Sequence, residues 1–222
     1  MYKKSYIKII KNLSFKKGFT LIELIVVISI FMIITSVAIF NYGSFNSTVS
    51  LQNLTDDIAL SIRKAQGFAI GARGIKENFN NSYGMHFSVD TNQTGSLSGS
   101  NKSFLMFSIP ILSAVEKRYL DDGGANEVCN DGSNECIELF NINTVDEIKG
   151  ISVDGYPKTS GSIDIVFTRP DPKASFCYRA SPSSDCSSNI SSVDIVVSNG
   201  QTAEQNRTKT ITVQNTGQIS IQ

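Results

Sequence analysis

Few side chains in this 222-residue chain are of types that do chemistry, and the first of them sits where charge is costly. Glu23 is the sole ionisable residue in the run FTLIELIVVISIFMIITSVAIF, residues 19–40. A carboxylate in hydrocarbon costs ~2.5–3.5 kcal/mol on insertion scales unless something pairs with it, and no basic residue of the same helix can reach it. If the chain is cut between Gly18 and Phe19, a new α-amino group appears four residues before Glu23. In a bundle of such helices each carboxylate then meets a neighbour's N-terminus, and the acid is an assembly device. The alternative is a permanent anchor in which Glu23 lies near the headgroup boundary, protonated or hydrated. Physical chemistry alone leaves both open.

The cysteines form two close pairs, in CNDGSNEC (Cys129, Cys136) and CYRASPSSDC (Cys177, Cys186). Four thiols allow three connectivities. Nearest-neighbour pairing is preferred because short loops cost least entropy to close. The gaps of six and eight residues do not suit zinc, whose paired cysteines stand about two to four residues apart. Oxidised pairs would put the folded domain outside the cytosol. Asp121, Asp122, Glu127, Asp131 and Glu135 crowd a glycine-rich loop that offers oxygens to calcium, but the EF-hand order is absent and such loops are ordinarily just solvated. No metal site and no cofactor are assigned. With one histidine, His86, and no Ser-His-Asp order, metal-ligand spacing or phosphate loop, the chain is not read as an enzyme.

These residues must be positioned by two electrostatically distinct parts. Lys3, Lys4, Lys8, Lys11, Lys16 and Lys17 precede Gly18 without an acid among them, which leaves 14 basic against 20 acidic residues in the remainder. A general nucleic-acid-seeking surface is disfavoured by that negative excess. The apolar run is long enough to span a bilayer core. It is longer than the core of a secretory signal, and its small residue, Gly18, comes before it rather than after. All the nearby positive charge is N-terminal to it, so the positive-inside rule keeps the N-terminus in the cytoplasm and exports the residues beyond about 41.

The stretch KKGFTLIELIVVISIF, residues 16–31, closely resembles the class III signal of type IV pilins and type II secretion pseudopilins. The resemblance implies that a prepilin peptidase cuts after Gly18 and N-methylates Phe19, and that Glu23 registers the subunit during assembly. It also implies other pilin or pseudopilin subunits, the peptidase, an inner-membrane assembly platform and, before assembly, membrane lipid as partners. Where many members carry a proline, this chain has Phe40, and its nearest helix breaker is Asn41-Tyr42-Gly43-Ser44.

Beyond Ser44 an amphipathic helix is expected, with Leu51, Leu54, Ile58, Ile62, Ala65, Ala69 and Ala72 recurring at steps of three and four and facing the core, ending near residues 71–74. Tyr83, Met85, Phe87 and Val89 then alternate with polar neighbours, the sign of a half-buried strand from which His86 points away as a surface or inter-sheet residue. Further strands are expected at residues 104–109, 137–142, 151–153, 162–168, 193–198, 209–214 and 217–222, with a mobile loop at 90–103. The class is α+β: a long N-terminal helix on an antiparallel β-sandwich or meander head. Its parts are a leader (1–18), a transmembrane and filament-core helix (19–41), an amphipathic helix (42–74) and an exported head (75–222).

LTDDIALSIRKAQGFAIGAR, IDIVFTRPDP and KTITVQNTGQISIQ resemble the helix, middle strand and closing hairpin of GspH/FimT-like minor pseudopilins. This implies a low-copy structural subunit near a filament tip, in the cytoplasmic membrane before assembly and in a periplasmic or cell-surface filament after it. The alternative implied is a DNA-binding minor pilin of natural transformation, using Arg169, Lys173, Arg179, Arg207 and Lys209. It is not favoured, because the closing NTGQISIQ has no basic residue.

Overall fold

The computed structural model describes residues 18–71, 73, 74, 79, 81–89, 100–110, 118, 119, 129, 136–181, 184–187, 189–201 and 207–222. The acidic residues Asp121, Asp122, Glu127, Asp131 and Glu135, the leader lysines and most of the 90–103 loop lie outside them. The chain divides into two units, residues 1–44 and 45–222.

The described part of the first unit is the opening of helix α1 (Leu21–Ile70), which continues into the second unit. From Leu21 to Ile39 its residues are apolar enough to cross a membrane, and none of that window is buried within the chain. Ser29 Oγ donates to the Ile25 carbonyl at 2.8 Å and Thr35 Oγ1 to the Phe31 carbonyl at 2.9 Å. The hydroxyls of Ser29 and Thr35 are thereby satisfied by their own helix, as hydrocarbon requires.

In the second unit α1 turns Leu51, Ile58, Ile62, Ala65 and Ala69 into the core, as the sequence period demands. It stops at Ile70, where Gly71 N–H still reaches the Gly67 carbonyl at 2.9 Å and Arg73 N–H the Phe68 carbonyl at 3.2 Å. The Tyr83 hydroxyl then donates to the Arg73 carbonyl, and the Arg73 guanidinium lies over the Phe68 ring, 4.1 Å from its centre. Burial, the larger influence, raises the Tyr83 phenol above its ordinary value against the opposing charge of Arg73.

Among the described residues ten strands follow: β1 (Asn81–Ser88), β2 (Ser103–Pro110), β3 (Cys136–Asn141), β4 (Glu147–Val153), β5 (Tyr156–Lys158), β6 (Ser162–Phe167), β7 (Ala174–Arg179), β8 (Ser192–Ser198), β9 (Thr208–Gln214) and β10 (Ile219–Ile221). They form two five-stranded sheets, ordered β3-β2-β1-β6-β7 and β10-β9-β8-β4-β5. Every pairing is antiparallel. The class is α+β, as expected, but the path is not a simple meander, because β4–β5 leave the first sheet before β6–β7 return to it. The inner faces of both sheets and the inward stripe of α1 share one apolar core, with Met85, Phe87 and Ile165 from the first sheet and Ile151, Ile195 and Ile211 from the second.

Strands β5 and β7 were not legible in the sequence, and β4 begins four residues before the expected ISV. A two-residue turn joins β4 to β5, with Asp154 and Gly155 at φ of 50° and 80°, the backbone of a tight hairpin. Asp154 Oδ1 accepts the N–H groups of Ser191 and Ser192 at 2.8 and 2.9 Å, fixing that turn to the start of β8.

β1 is buried along its whole length, not on one face. A second, smaller cluster made of Leu105, Phe107, Ile109, Tyr119, Cys136 and Val166 covers the outer face of the first sheet. Gly84 is required there: a Cβ on it would stand 2.5 Å from the Phe107 ring and 2.9 Å from the Ile165 carbonyl.

Candidate processing and assembly segment

Thr20 closes the N-terminus of α1. Its carbonyl accepts Leu24 N–H at 3.2 Å, and its hydroxyl accepts Glu23 N–H at 3.3 Å. That hydroxyl satisfies one of the donors a first helical turn leaves without an intrahelical partner. Gly18, Phe19 and Thr20 therefore stand outside the helix, and all three are exposed. Glu23 is the acid of the first turn, where a carboxylate faces the positive end of the helix dipole. An exposed Gly18-Phe19 peptide outside the helix, a cap at Thr20 and an acid one turn into an apolar helix thus lie within six residues. The role of Thr20 was missed in the sequence, although the spacing Thr-x-x-Glu ahead of an apolar run is the signature of a capping box.

The head holds the other chemistry-bearing residues in structural roles. Cys129 is bonded to Cys136 and Cys177 to Cys186, with Cα separations of 5.0 and 4.9 Å, and no cysteine is free. Among the described residues no group of three metal-ligating side chains exists. His86 is not a surface residue. It is 2% exposed, and its Nδ1 lies 2.5 Å from Oδ1 of the fully buried Asp164. Arg179 Nη2 donates to Asp164 Oδ2 and to the Tyr119 carbonyl, both at 3.3 Å. Arg179 is itself buried, so it is not available to the basic patch proposed with Arg169, Lys173, Arg207 and Lys209. The outer face that strand alternation assigns to solvent is covered by Tyr119, whose ring sits 5.3 Å from that of His86. A His-Asp pair closed off in this way ties β1, β6 and β7 to the cover and offers no access to a substrate.

A family model, the prokaryotic N-terminal methylation motif, matches residues 13–39. Comparison of the chain with curated proteins and with solved structures gave no match. The matched segment spans the Gly18-Phe19 peptide, the Thr20 cap, Glu23 and the whole apolar window. Residues 13–39 are a prepilin-type N-terminal methylation motif, the class III signal carried by type IV pilins and pseudopilins.

Proposed function

We propose that the chain is a structural subunit, a minor pilin or pseudopilin most like the GspH/FimT group, of a type IV pilus or type II secretion-like filament. The observation that carries this is the placement of Glu23 as the lone ionisable group of an apolar helix, directly after an exposed Gly18-Phe19 peptide and inside a methylation motif. Prepilin peptidase cuts after Gly18 and methylates the new amine of Phe19. The N-terminus starts in the cytoplasm and the head is exported, which suits two disulfides. Before assembly the apolar helix sits in the cytoplasmic membrane. At the assembly platform it is drawn out of lipid into a bundle of like helices, where Glu23 receives the charged amine of a neighbouring subunit. The role is structural, not enzymatic.

The DNA-binding alternative has less support, because Arg179 is buried against Asp164 and the closing strand β10 has no basic residue.

Glu23→Ala separates insertion from assembly. The variant should insert at least as well as the wild type, because a costly carboxylate is gone, and should still be cut after Gly18. It should be absent from sheared filaments, since the neighbour's amine would be left as an uncompensated charge in a low-dielectric bundle. Assembly of Glu23→Ala at wild-type levels would contradict the proposal.

A further inference from the structure

One end of the head gathers an exposed apolar side chain and several cations. There β4 begins and β8 ends, with Glu147 opposite Ser198, and β9 begins with Thr208 opposite the same Ser198. Val145, just ahead of β4, is 63% exposed. Its loop is nonetheless gripped from several sides. Lys102 Nζ donates to the carbonyls of Thr144, Val145 and Asp146 at 3.3, 2.9 and 2.6 Å. Thr144 Oγ1 and Ser50 Oγ both donate to Asp146 Oδ2, and Gly200 leaves no room for a side chain against the Val145 carbonyl. A fixed backbone thus presents a valine to the outside. Arg207 and Lys149 are exposed at this end and Lys209 is half-buried. Of the described carboxylates beside them, Asp146 is fully buried, and Glu147 is half-buried and accepts Asn101 Nδ2 at 3.2 Å. The end is therefore basic, although acids outnumber bases in the chain beyond Gly18.

We propose that, before assembly, this end of the head docks on the membrane surface, with Val145 entering the headgroup layer and Arg207 and Lys149 meeting the phosphates of anionic phospholipid. The dock rests on the filament reading above, which supplies the membrane-resident stage. The end is tied to α1 through Thr48, which accepts Arg207 Nη1, and through Ser50. Thr48 lies nine residues beyond Ile39, where the apolar span stops. That is about 14 Å of helix, against a headgroup layer about 5–8 Å thick. Spanning helices tilt by about 20° on average, which lowers one side of a head towards the lipid. An apolar tip flanked by cations is the chemistry of interfacial binding. Guanidinium is the cation best shaped for phosphate. The rest of the head, being acidic, is repelled by the same surface, so attraction and repulsion select the same end.

The test uses the full-length chain with its disulfides intact, carrying Asn143→Cys labelled with a fluorophore and reconstituted into vesicles that contain lipid spin-labelled at the headgroup. In vesicles of equal parts phosphatidylglycerol and phosphatidylcholine the label should be quenched, and in phosphatidylcholine alone it should be quenched far less. Lys149→Glu and Arg207→Gln should each lower the ratio of docked to undocked heads by a factor of about five or more, and Val145→Asp should lower it as well. The same label at Tyr156→Cys, beyond the other end of β4 where Tyr156 is 72% exposed, should stay in water in both kinds of vesicle. If the protein floats with the vesicles but the label at 143 is as open to water as the label at 156, the dock is overturned and the filament reading stands. Quenching that ignores lipid charge and survives all three substitutions would likewise overturn the dock alone. Protein that does not float with the vesicles would overturn both.

Discussion

Asp164 sits opposite His86 in the β1–β6 ladder, and its Oδ1 approaches His86 Nδ1 to 2.5 Å with neither side chain reaching solvent. The other carboxylate oxygen holds Arg179, whose guanidinium reaches on to the Tyr119 carbonyl. One carboxylate thereby ties three strands of the first sheet to the segment that covers it.

Asp164→Ala strips both partners at once and leaves Arg179 charged and buried. Breaking a buried pair by removing one member costs about 3–5 kcal/mol, and equilibrium urea unfolding of the oxidised, full-length chain should show a loss of that size. Glu138→Ala, which breaks the half-exposed pair with Lys64, should cost no more than about 1 kcal/mol. Equal effects from the two variants would show that the Asp164 cluster is not a locked group.

Both disulfides close short loops, with sequence separations of 7 and 9. Replacing either pair by serines should lower stability by about 2–4 kcal/mol. Non-reducing peptide maps of exported protein should contain two local crosslinks, Cys129 with Cys136 and Cys177 with Cys186. Free thiols or a crossed pattern would contradict this arrangement.

Gly84 lies beneath the Phe107 ring. Gly84→Ala forces that ring or the β6 backbone to move, and overpacking of this kind costs about 1–3 kcal/mol. Thermal unfolding should record it as a lower Tm. Gly67→Ala, in open space, should raise Tm.

Burial raises the phenols of Tyr83 and Tyr178 above the ordinary tyrosine value. The folded state thus favours the neutral phenol. The resulting stability is fully present below the unfolded value of about 10 and is lost as pH rises through the higher folded values. Unfolding free energy measured between about pH 8 and 12 should fall on the alkaline side. Tyr83→Phe should make that fall shallower while removing the hydroxyl's bond to the Arg73 carbonyl. An alkaline limb unchanged by Tyr83→Phe would contradict the assignment.

What could be read from the sequence was what lies along one dimension. The lysine-rich leader, Gly18, the lone Glu23 and the apolar run are contiguous, so their joint meaning needs no fold. The inward stripe from Leu51 to Ala69 and the alternation from Tyr83 to Phe87 follow from local periods. The burial of His86 and Arg179 was missed because alternation assumes that one face of a strand meets water. What covers that face comes from Tyr119 and Cys136, which no local pattern ties to β1 or β7. β7 was hidden for the same reason, since ASFCYR is largely buried on both faces and so shows no alternation of apolar and polar residues. β5 is three residues with Pro157 at its centre, an edge strand too short to show a period.

The central claim is that this chain becomes a filament subunit by processing at Gly18-Phe19, and intact mass of the chain recovered from sheared filaments tests it most directly. The expected result is a single species that begins at Phe19, carries one added methyl group on its N-terminal amine and retains both disulfides. A chain that keeps its first 18 residues, or one cut beyond residue 40 and lacking the apolar helix, would contradict it.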